Sequence, residues 1–165
     1  MSRPLQPLLD ELGYSADPEC AGTAERWAEV MRLFAPKPRP DALDTFVAPG
    51  RDPVIFRKLP FYSLCAHHLL PFFGEADIAY VPAEMHGRIA GLGAIVNVLR
   101  HFARQPQLQE RLGAQVAEFL QSELRGPVAV RLSARQMCME MRGVESTGTI
   151  ETLALRGGAT RSIFE

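Results

Sequence analysis

Residues 60–72 read PFYSLCAHHLLPF, a short polar turn between two apolar flanks. The segments Val54 to Leu64 and Gly74 to Val81 are rich in β-branched and aromatic side chains, which predicts two strands joined at this turn. Cys65 and His68 stand three residues apart on it, so a thiolate and an imidazole can close on one metal ion. Turns on a rigid sheet commonly carry ligands. The stretch therefore predicts a strand pair with a metal-binding turn.

A third candidate ligand, Cys138, lies far downstream in the segment QMCMEMRGV. Three protein ligands with an open fourth position are the arrangement of a catalytic zinc site. His67 is left outside this set, and a histidine beside a metal-bound water is suited to proton transfer near neutral pH. A buried cysteine that acts only as a small apolar residue fits a lone Cys-x-x-His pair equally well. The residues alone leave both interpretations open.

The surrounding stretches resemble the GTP cyclohydrolase I family in order and spacing. They are residues 60–72, 74–82, 91–92 and 107–112, followed by Cys138 and Arg142-Gly143-Val144. The resemblance covers about residues 53 to 158. It implies that Cys65, His68 and Cys138 are zinc ligands and that His67 is the catalytic histidine.

The family chemistry implied by the resemblance begins with attack of zinc-bound water on C8 of a purine. The imidazole ring then opens, formate leaves, and the rearranged sugar carbons close into a dihydropterin. The residues agree with the first half of this sequence, since zinc makes hydroxide available near neutral pH and a neighbouring imidazole can protonate the leaving nitrogen. The resemblance also implies that Gln109 and Glu110 hold the guanine edge and that Arg142 belongs to the substrate pocket.

Gln136 stands where the family has a second active-site histidine. Its amide can bind substrate by hydrogen bonds but has no group that titrates near neutral pH. We therefore expect Gln136 to be a substrate-binding residue, and the proton transfers after ring opening are in question.

The residues after Gly91-Leu92 also differ from the family. Gly93, Ala94 and Asn97 occupy positions where the family has a serine, a lysine and an arginine that contact the triphosphate. Hydrogen bonds to charged groups contribute roughly 1.5 to 3 kcal/mol each, so the loss of two cations would weaken polyanion binding by about a hundredfold to ten-thousandfold. Arg100 and Arg104 would share a helical face with Asn97 and could replace them, or they could be solvated surface residues.

Three functions remain open. The leading hypothesis is a zinc-dependent hydrolase that opens the imidazole ring of a purine or pterin-like heterocycle lacking a triphosphate. The first alternative is an ordinary GTP cyclohydrolase I that makes 7,8-dihydroneopterin triphosphate and formate for folate or pterin biosynthesis. The second is a catalytically silent protein that only binds a heterocycle.

Composition excludes several classes of partner. The chain has 165 residues, of which 47% are hydrophobic and 22% charged, as in ordinary globular proteins. Its net charge of −1 leaves no electrostatic footprint for nucleic acid or an acidic membrane surface. No apolar run is long enough to cross a bilayer, and the first residues lack the apolar core of a secretion signal. We therefore expect a cytoplasmic protein in which Cys20 is a free thiol.

Hydrophobic periodicity predicts the other elements. Helical spacing of apolar residues predicts helices over Thr23–Phe34, Leu92–Phe102 and Leu108–Leu124. Alternation predicts strands over Val128–Ser133, Met137–Met141 and Thr147–Ala154, with Cys138 and Glu140 on one face and the methionines in the core. The tail from Gly157 to Glu165 is expected to be loosely held.

This order of elements predicts an α+β protein, with an N-terminal arm and helix in residues 1–52 and a catalytic domain in residues 53–165. The resemblance implies the tunnel fold (T-fold), in which an antiparallel sheet carries helices on one face and subunits join into a barrel. Unpaired sheet edges favour pairing with other copies. We therefore expect a ring-shaped homo-oligomer, a pentamer or decamer.

Overall fold

The computed structural model describes residues 5–165, so the first four residues of the predicted arm lie outside the description. The chain divides between Ala35 and Pro36 into two compact units. The first contains helix α1 (Gln6–Glu11), two short 3-10 turns and helix α2 (Thr23–Leu33). The predicted helix that begins at Thr23 and ends before Pro36 is confirmed. A domain boundary between residues 52 and 53 stays a prediction.

The second unit contains one sheet, one two-stranded ribbon and three helices. In chain order the elements are β1 Thr45–Val47, β2 Val54–Cys65, β3 Pro71–Tyr80, β4 Arg88–Ala90, α3 Leu92–Ala103, β5 Pro106–Gln107, α4 Gln109–Leu124, β6 Val128–Gln136, α5 Met137–Glu140 and β7 Ile150–Arg156. A 3-10 turn, Arg161–Phe164, follows β7. The two strands that flank the turn with Cys65 and His68, and the two long helices, are therefore confirmed.

The sheet brings the candidate site residues to one of its ends. Its strand order is β5-β2-β3-β6-β7, with β5 parallel to β2 and the other pairs antiparallel. Leu64 pairs with Pro71, and Phe72 pairs with Gln136. The end of β2, the start of β3 and the end of β6 are consequently neighbours. Cys65 is the last residue of β2, and Cys138 stands two residues beyond the end of β6.

Close packing of β3 against β6 depends on Gly74. A Cβ atom at this position would lie 2.0 Å from the carbonyl oxygen of Ser133, so any other residue would force the two strands apart. The register of β2 against β3 shifts between Phe56 and Leu59, where Lys58 has a φ of 55°. Such a bulge increases the local twist of the sheet.

Helices α3 and α4 pack on one face of the sheet. Ala76, Ile78 and Tyr80 alternate along β3 and are fully buried in the same core as Ile95 of α3 and Val116 of α4. The arrangement confirms an α+β fold with helices on one face. No helix of residues 5–165 combines the length and apolar character needed to cross a membrane. Assembly of subunits into a barrel stays a prediction.

The C-terminal tail packs on the opposite face of the sheet. Phe164 is buried and clusters with Ala79 and Ala129. The guanidinium of Arg131 lies 4.8 Å from the centre of the Phe164 ring, and Arg57 donates a hydrogen bond of 2.5 Å to the Phe164 carbonyl oxygen. The prediction of a loosely held tail is wrong, because an aromatic ring buried under a cation anchors it.

The predicted strand Met137–Met141 is also wrong, since this segment forms the short helix α5. Pairing between β3 and β6 ends at Phe72 and Gln136, next to the first residue of β3. Residues beyond Gln136 therefore have no strand opposite them, and their backbone groups bond within a helical turn instead. Met141 is 65% exposed, so it is not a core residue.

Candidate metal centre and its surroundings

The turn that carries Cys65 and His68 is held by backbone hydrogen bonds on two sides. The Cys65 amide donates to the Leu70 carbonyl oxygen, and the Leu69 amide donates to that of Cys65, both at 2.8 Å. The Ala66 amide donates to the carbonyl oxygen of Gln107 in β5 at 2.9 Å. Both the turn and its neighbour on the sheet edge therefore fix the direction of the two side chains.

The ligand atoms of Cys65, His68 and Cys138 converge. All three lie within 4.8 Å of one another, and the Cys65 Sγ atom is 3.7 Å from His68 Nδ1. A sulfur and a nitrogen bound to one tetrahedral zinc at ordinary bond lengths stand about 3.6 Å apart. The observed separation matches this value, so the donor set fits a single zinc ion. The structure thus brings together the three residues that the sequence nominated.

The thiol of Cys138 is affected by its neighbours in the cluster. Burial raises the pKa of the Cys138 thiol, its hydrogen bond with Cys65 raises it further, and the positive charge of Arg142 opposes both effects. Without a cation the Cys138 sulfur therefore favours its protonated form. A metal must displace that proton, so its binding depends on pH.

Two further predicted residues lie beside the cluster. Arg142 is exposed, and its Nη1 lies 2.8 Å from His68 Nε2. Nε2 accepts this hydrogen bond only while Nδ1 carries the ring proton, so a metal ion on Nδ1 would break the contact. The His67 ring is also exposed, with its centre 6.2 Å from that of His68. His67 is therefore adjacent to the donor set and outside it, as a proton-transfer group would be. Its catalytic role stays a prediction.

The side-chain amide of Gln109 is held by hydrogen bonds to other parts of the protein. It is only 4% exposed, and its Nε2 donates to the carbonyl oxygens of Leu132 at 3.2 Å and Ile150 at 2.8 Å. Its Oε1 accepts a hydrogen bond of 2.8 Å from Gln136 Nε2. Both amide hydrogens are therefore used inside the protein. A guanine contact from this side chain, which stays a prediction, could use only the remaining lone pair of Oε1.

Glu110 lines a groove of about 360 Å³ between α4 and β7. Gly113 and Ala114 form the helix side of the groove, and residues 152–156 form the strand side. The Oγ1 atom of Thr152 is buried there without a hydrogen-bond partner. Thr152 is not among the residues predicted from the sequence, although alternation along β7 puts it on the same face as Ala154. Its nearness to Glu110 depends on how helix and strand pack.

A second groove, of about 320 Å³, runs along α3. It is lined by Ala94, Asn97 and His101 from the helix and by residues 40 and 42–44 of the preceding chain, and it contains the carboxylate of Asp44 but no lysine or arginine. Burial and then the charge of Lys37 hold the pKa of His101 below its usual value, so this ring is neutral at neutral pH. Arg100 and Arg104 are exposed and do not line the groove.

Residues 2–162 match the model of a protein family described as GTP cyclohydrolase I. A relative named GTP cyclohydrolase 1 from Aquifex aeolicus is 42% identical over 151 residues, which cover 88% of this chain and 80% of the relative. The proteins of the same name from Corynebacterium glutamicum and Streptococcus agalactiae serotype Ia are 38% and 37% identical. The first alignment covers 86% of this chain and 76% of the relative, and the second covers 93% and 86%.

A solved structure shares the fold at low sequence identity. The archaeosine synthase QueF-Like in its apo form superposes with a TM-score of 0.51 and 14% identity, over 67% of this chain and 99% of that chain. At this identity the likeness concerns the fold alone. It agrees with the T-fold that the sequence resemblance implied.

Proposed function

This chain belongs to the GTP cyclohydrolase I family, and we propose on that premise that it is a GTP cyclohydrolase I that releases formate from GTP and forms 7,8-dihydroneopterin triphosphate. The observation that carries the proposal is the convergence of Cys65, His68 and Cys138 in a geometry that fits zinc. Relatives named GTP cyclohydrolase 1, at 37% to 42% identity over most of the chain, support GTP as the substrate.

Each residue of the site has a chemical task in this proposal. Cys65, His68 and Cys138 would hold zinc, which when bound supplies Lewis-acid chemistry at C8 of the purine. His67 exchanges a proton with the purine nitrogen next to C8. The Glu110 carboxylate offers two acceptor oxygens for the two neighbouring N–H groups of the guanine edge.

Arg142 requires a change of partner. Its guanidinium donates to His68 Nε2 and is a donor only, so it is free to bind a substrate oxygen once this contact is released. The side chain lies on an exposed segment after α5, where little packing opposes such a movement. We therefore assign Arg142 to substrate binding rather than to the metal centre.

A second candidate function is ring opening of a purine without a triphosphate, the leading hypothesis from the sequence. The names of the relatives favour GTP instead, but the α3 groove favours this candidate because Ala94 and Asn97 leave it without a cation. A polyanion bound there would face the Asp44 carboxylate.

Formate release separates the candidates. The zinc-loaded protein is incubated in parallel with GTP, guanosine and guanine, and formate and product absorbance are followed. The main proposal expects formate and a fused dihydropterin chromophore from GTP, with the Cys138→Ala variant as the inactive control. Turnover of guanosine or guanine in preference to GTP would replace it with the second candidate. Absence of formate together with unchanged purine absorbance for all three would leave a protein that only binds a heterocycle, because ring opening without formate release would still change the absorbance.

The assembly and compartment are part of the proposal. Strands β5 and β7 each have one edge without a partner strand among residues 5–165. A ring-shaped homo-oligomer, a pentamer or decamer, would pair such edges between copies. The three cysteines are free, which fits a reducing cytoplasm. Native mass spectrometry of the purified protein measures the number of subunits.

A further inference from the structure

Two glutamine side chains connect the strand end beside Cys138 to the helix that carries Glu110. We propose that Gln136 is a positioning residue that acts through Gln109 to hold the Glu110 side of the site in place. The inference rests on the proposed function for what binds at Glu110. The hydrogen bonds that support it are features of the fold.

The direction of each amide follows from two backbone carbonyls. The carbonyl oxygens of Leu132 and Ile150 can only accept, so the Gln109 side chain must turn its NH2 group towards them. The Gln109 oxygen is then the only atom left for Gln136, which must donate from its own NH2 group at 2.8 Å. Neither amide can flip without placing two donors or two acceptors against each other.

This chain of bonds joins three elements of the site. Gln136 is the last residue of β6 and stands two positions before Cys138. Gln109 is the first residue of α4, where no side chain caps the helix, and Glu110 is the next residue. The hydrogen bond from Gln109 to the Ile150 carbonyl oxygen also attaches the first residue of β7. Gln109 thus connects the two walls of the groove that Glu110 lines, and Gln136 connects that groove to the end of β6, directly before the helix α5 that carries Cys138.

The chain contains a matched pair of amides that lacks this connection. Gln107 is buried and donates from Nε2 to Gln115 Oε1 at 2.7 Å. Gln115 is half-buried, as Gln136 is, and it also partners a buried glutamine. It lies on α4 but does not line the Glu110 groove. Gln115→Met therefore removes one neutral amide hydrogen bond to the Gln107 side chain, and it leaves in place the Gln107 backbone carbonyl that accepts from the Ala66 amide. The proposal predicts no effect of this change on ligand binding.

The experiment compares Gln136→Met, Gln136→Glu and Gln115→Met in the zinc-loaded protein with GTP. Loss of one neutral hydrogen bond should raise KM roughly 3- to 10-fold in Gln136→Met, with kcat changed less than about twofold. Gln136→Glu, measured at pH 8, should raise KM further because an ionised carboxylate places acceptors against the Gln109 oxygen. Gln115→Met should keep the KM of the unmodified protein. Zinc content should be the same in all four proteins.

Hydrogen exchange gives a readout independent of turnover. Backbone amides of residues 109–113 and 150–152 should exchange faster in Gln136→Met than in Gln115→Met or the unmodified protein. If no protein converts GTP, the proposed function fails while this exchange difference still tests the amide link. An unchanged KM and unchanged exchange in Gln136→Met would overturn the inference. A fall in its zinc content would also overturn it, because Gln136 would then act on the metal centre directly.

Discussion

The candidate metal centre and the α3 groove differ in how far they match what the sequence resemblance implies. At the metal centre, Cys65, His68 and Cys138 keep every donor that the resemblance implies, with ligand atoms within 4.8 Å of one another. In the α3 groove, Ala94 and Asn97 stand where the resemblance implies two cations, and the charged residue that lines the groove is Asp44. The first region is built on a strand turn and α5, whereas the second is built on α3. Because separate elements carry the candidate metal ligands and the α3 groove, one region can change in sequence while the other is kept.

The largest expected effect is the loss of zinc binding at the candidate metal centre. Cys138→Ala should lower zinc affinity by more than about 100-fold, because even residues that only support a ligand cost 10- to 100-fold. Zinc per subunit is measured after dialysis against a weak chelator. Cys20→Ala is the matched control, since Cys20 lies in the first unit, and it should keep full zinc. Full zinc in Cys138→Ala would show that the donor set is wrong.

The next effect separates chemistry from metal binding within the same region. His67→Ala should lower kcat by roughly 100- to 10,000-fold through loss of a positioned proton-transfer group, with zinc content unchanged. His86→Asn serves as the control, because His86 is exposed with a φ of 63° that asparagine tolerates. Steady-state kinetics and metal analysis of both variants are compared. Nearly normal turnover in His67→Ala would assign the proton transfer elsewhere.

A smaller effect tests the α3 groove. Ala94→Lys places a cation on its wall and should raise GTP affinity about 10- to 100-fold, while guanosine affinity stays the same. Glu118→Gln raises the net charge by the same one unit at an exposed position of α4, so it should leave both affinities unchanged. Calorimetric titrations at two salt concentrations measure these affinities. Tight, salt-sensitive GTP binding already present in the unmodified protein would instead point to Arg100 or Arg104 as the phosphate contacts.

The smallest effect lies outside both regions. Hydrogen bonds from Arg131 and from the Lys58 amide, with the charges of Arg131 and Arg57, hold the pKa of Asp77 below its usual value, although burial alone would raise it. A lowered carboxyl pKa stabilises the fold above the unfolded-state pKa, and this stability is lost as pH falls through the folded-state value. Asp77→Asn should lower the free energy of unfolding by roughly 1 to 3 kcal/mol at neutral pH. Denaturant unfolding at several pH values should show this difference shrinking in acid, with zinc content unaffected.

The sequence predicted the elements whose signals are local. Periodicity located α2, α3 and α4 to within a residue or two, and the spacing of Cys65 and His68 on a turn nominated a metal site whose donors the fold brings together. These predictions succeed because helix and strand periods, and ligand spacing within one turn, depend on neighbours only a few residues away.

Two local predictions failed where distant partners decide the outcome. Met137–Met141 alternates like a strand, yet it forms α5 because β3 offers no pairing partner beyond Phe72. The C-terminal tail has the composition of a mobile segment, yet Phe164 is buried with the Arg131 guanidinium over its ring. The residues that decide these two outcomes are distant in sequence: the start of β3 lies far from Met137, and Arg131 and Ala79 lie far from Phe164 in the chain.

By itself, then, the sequence determined the strand pair, the helices, the three candidate metal ligands and the family. Tertiary structure alone decided that Gln109 is bound through both amide hydrogens, that Gln136 is its donor, and that Thr152 faces the Glu110 groove. The reason is physical. A side chain's donors and acceptors are assigned by the backbone carbonyls that packing brings to it, and here those belong to β6 and β7, far along the chain from α4.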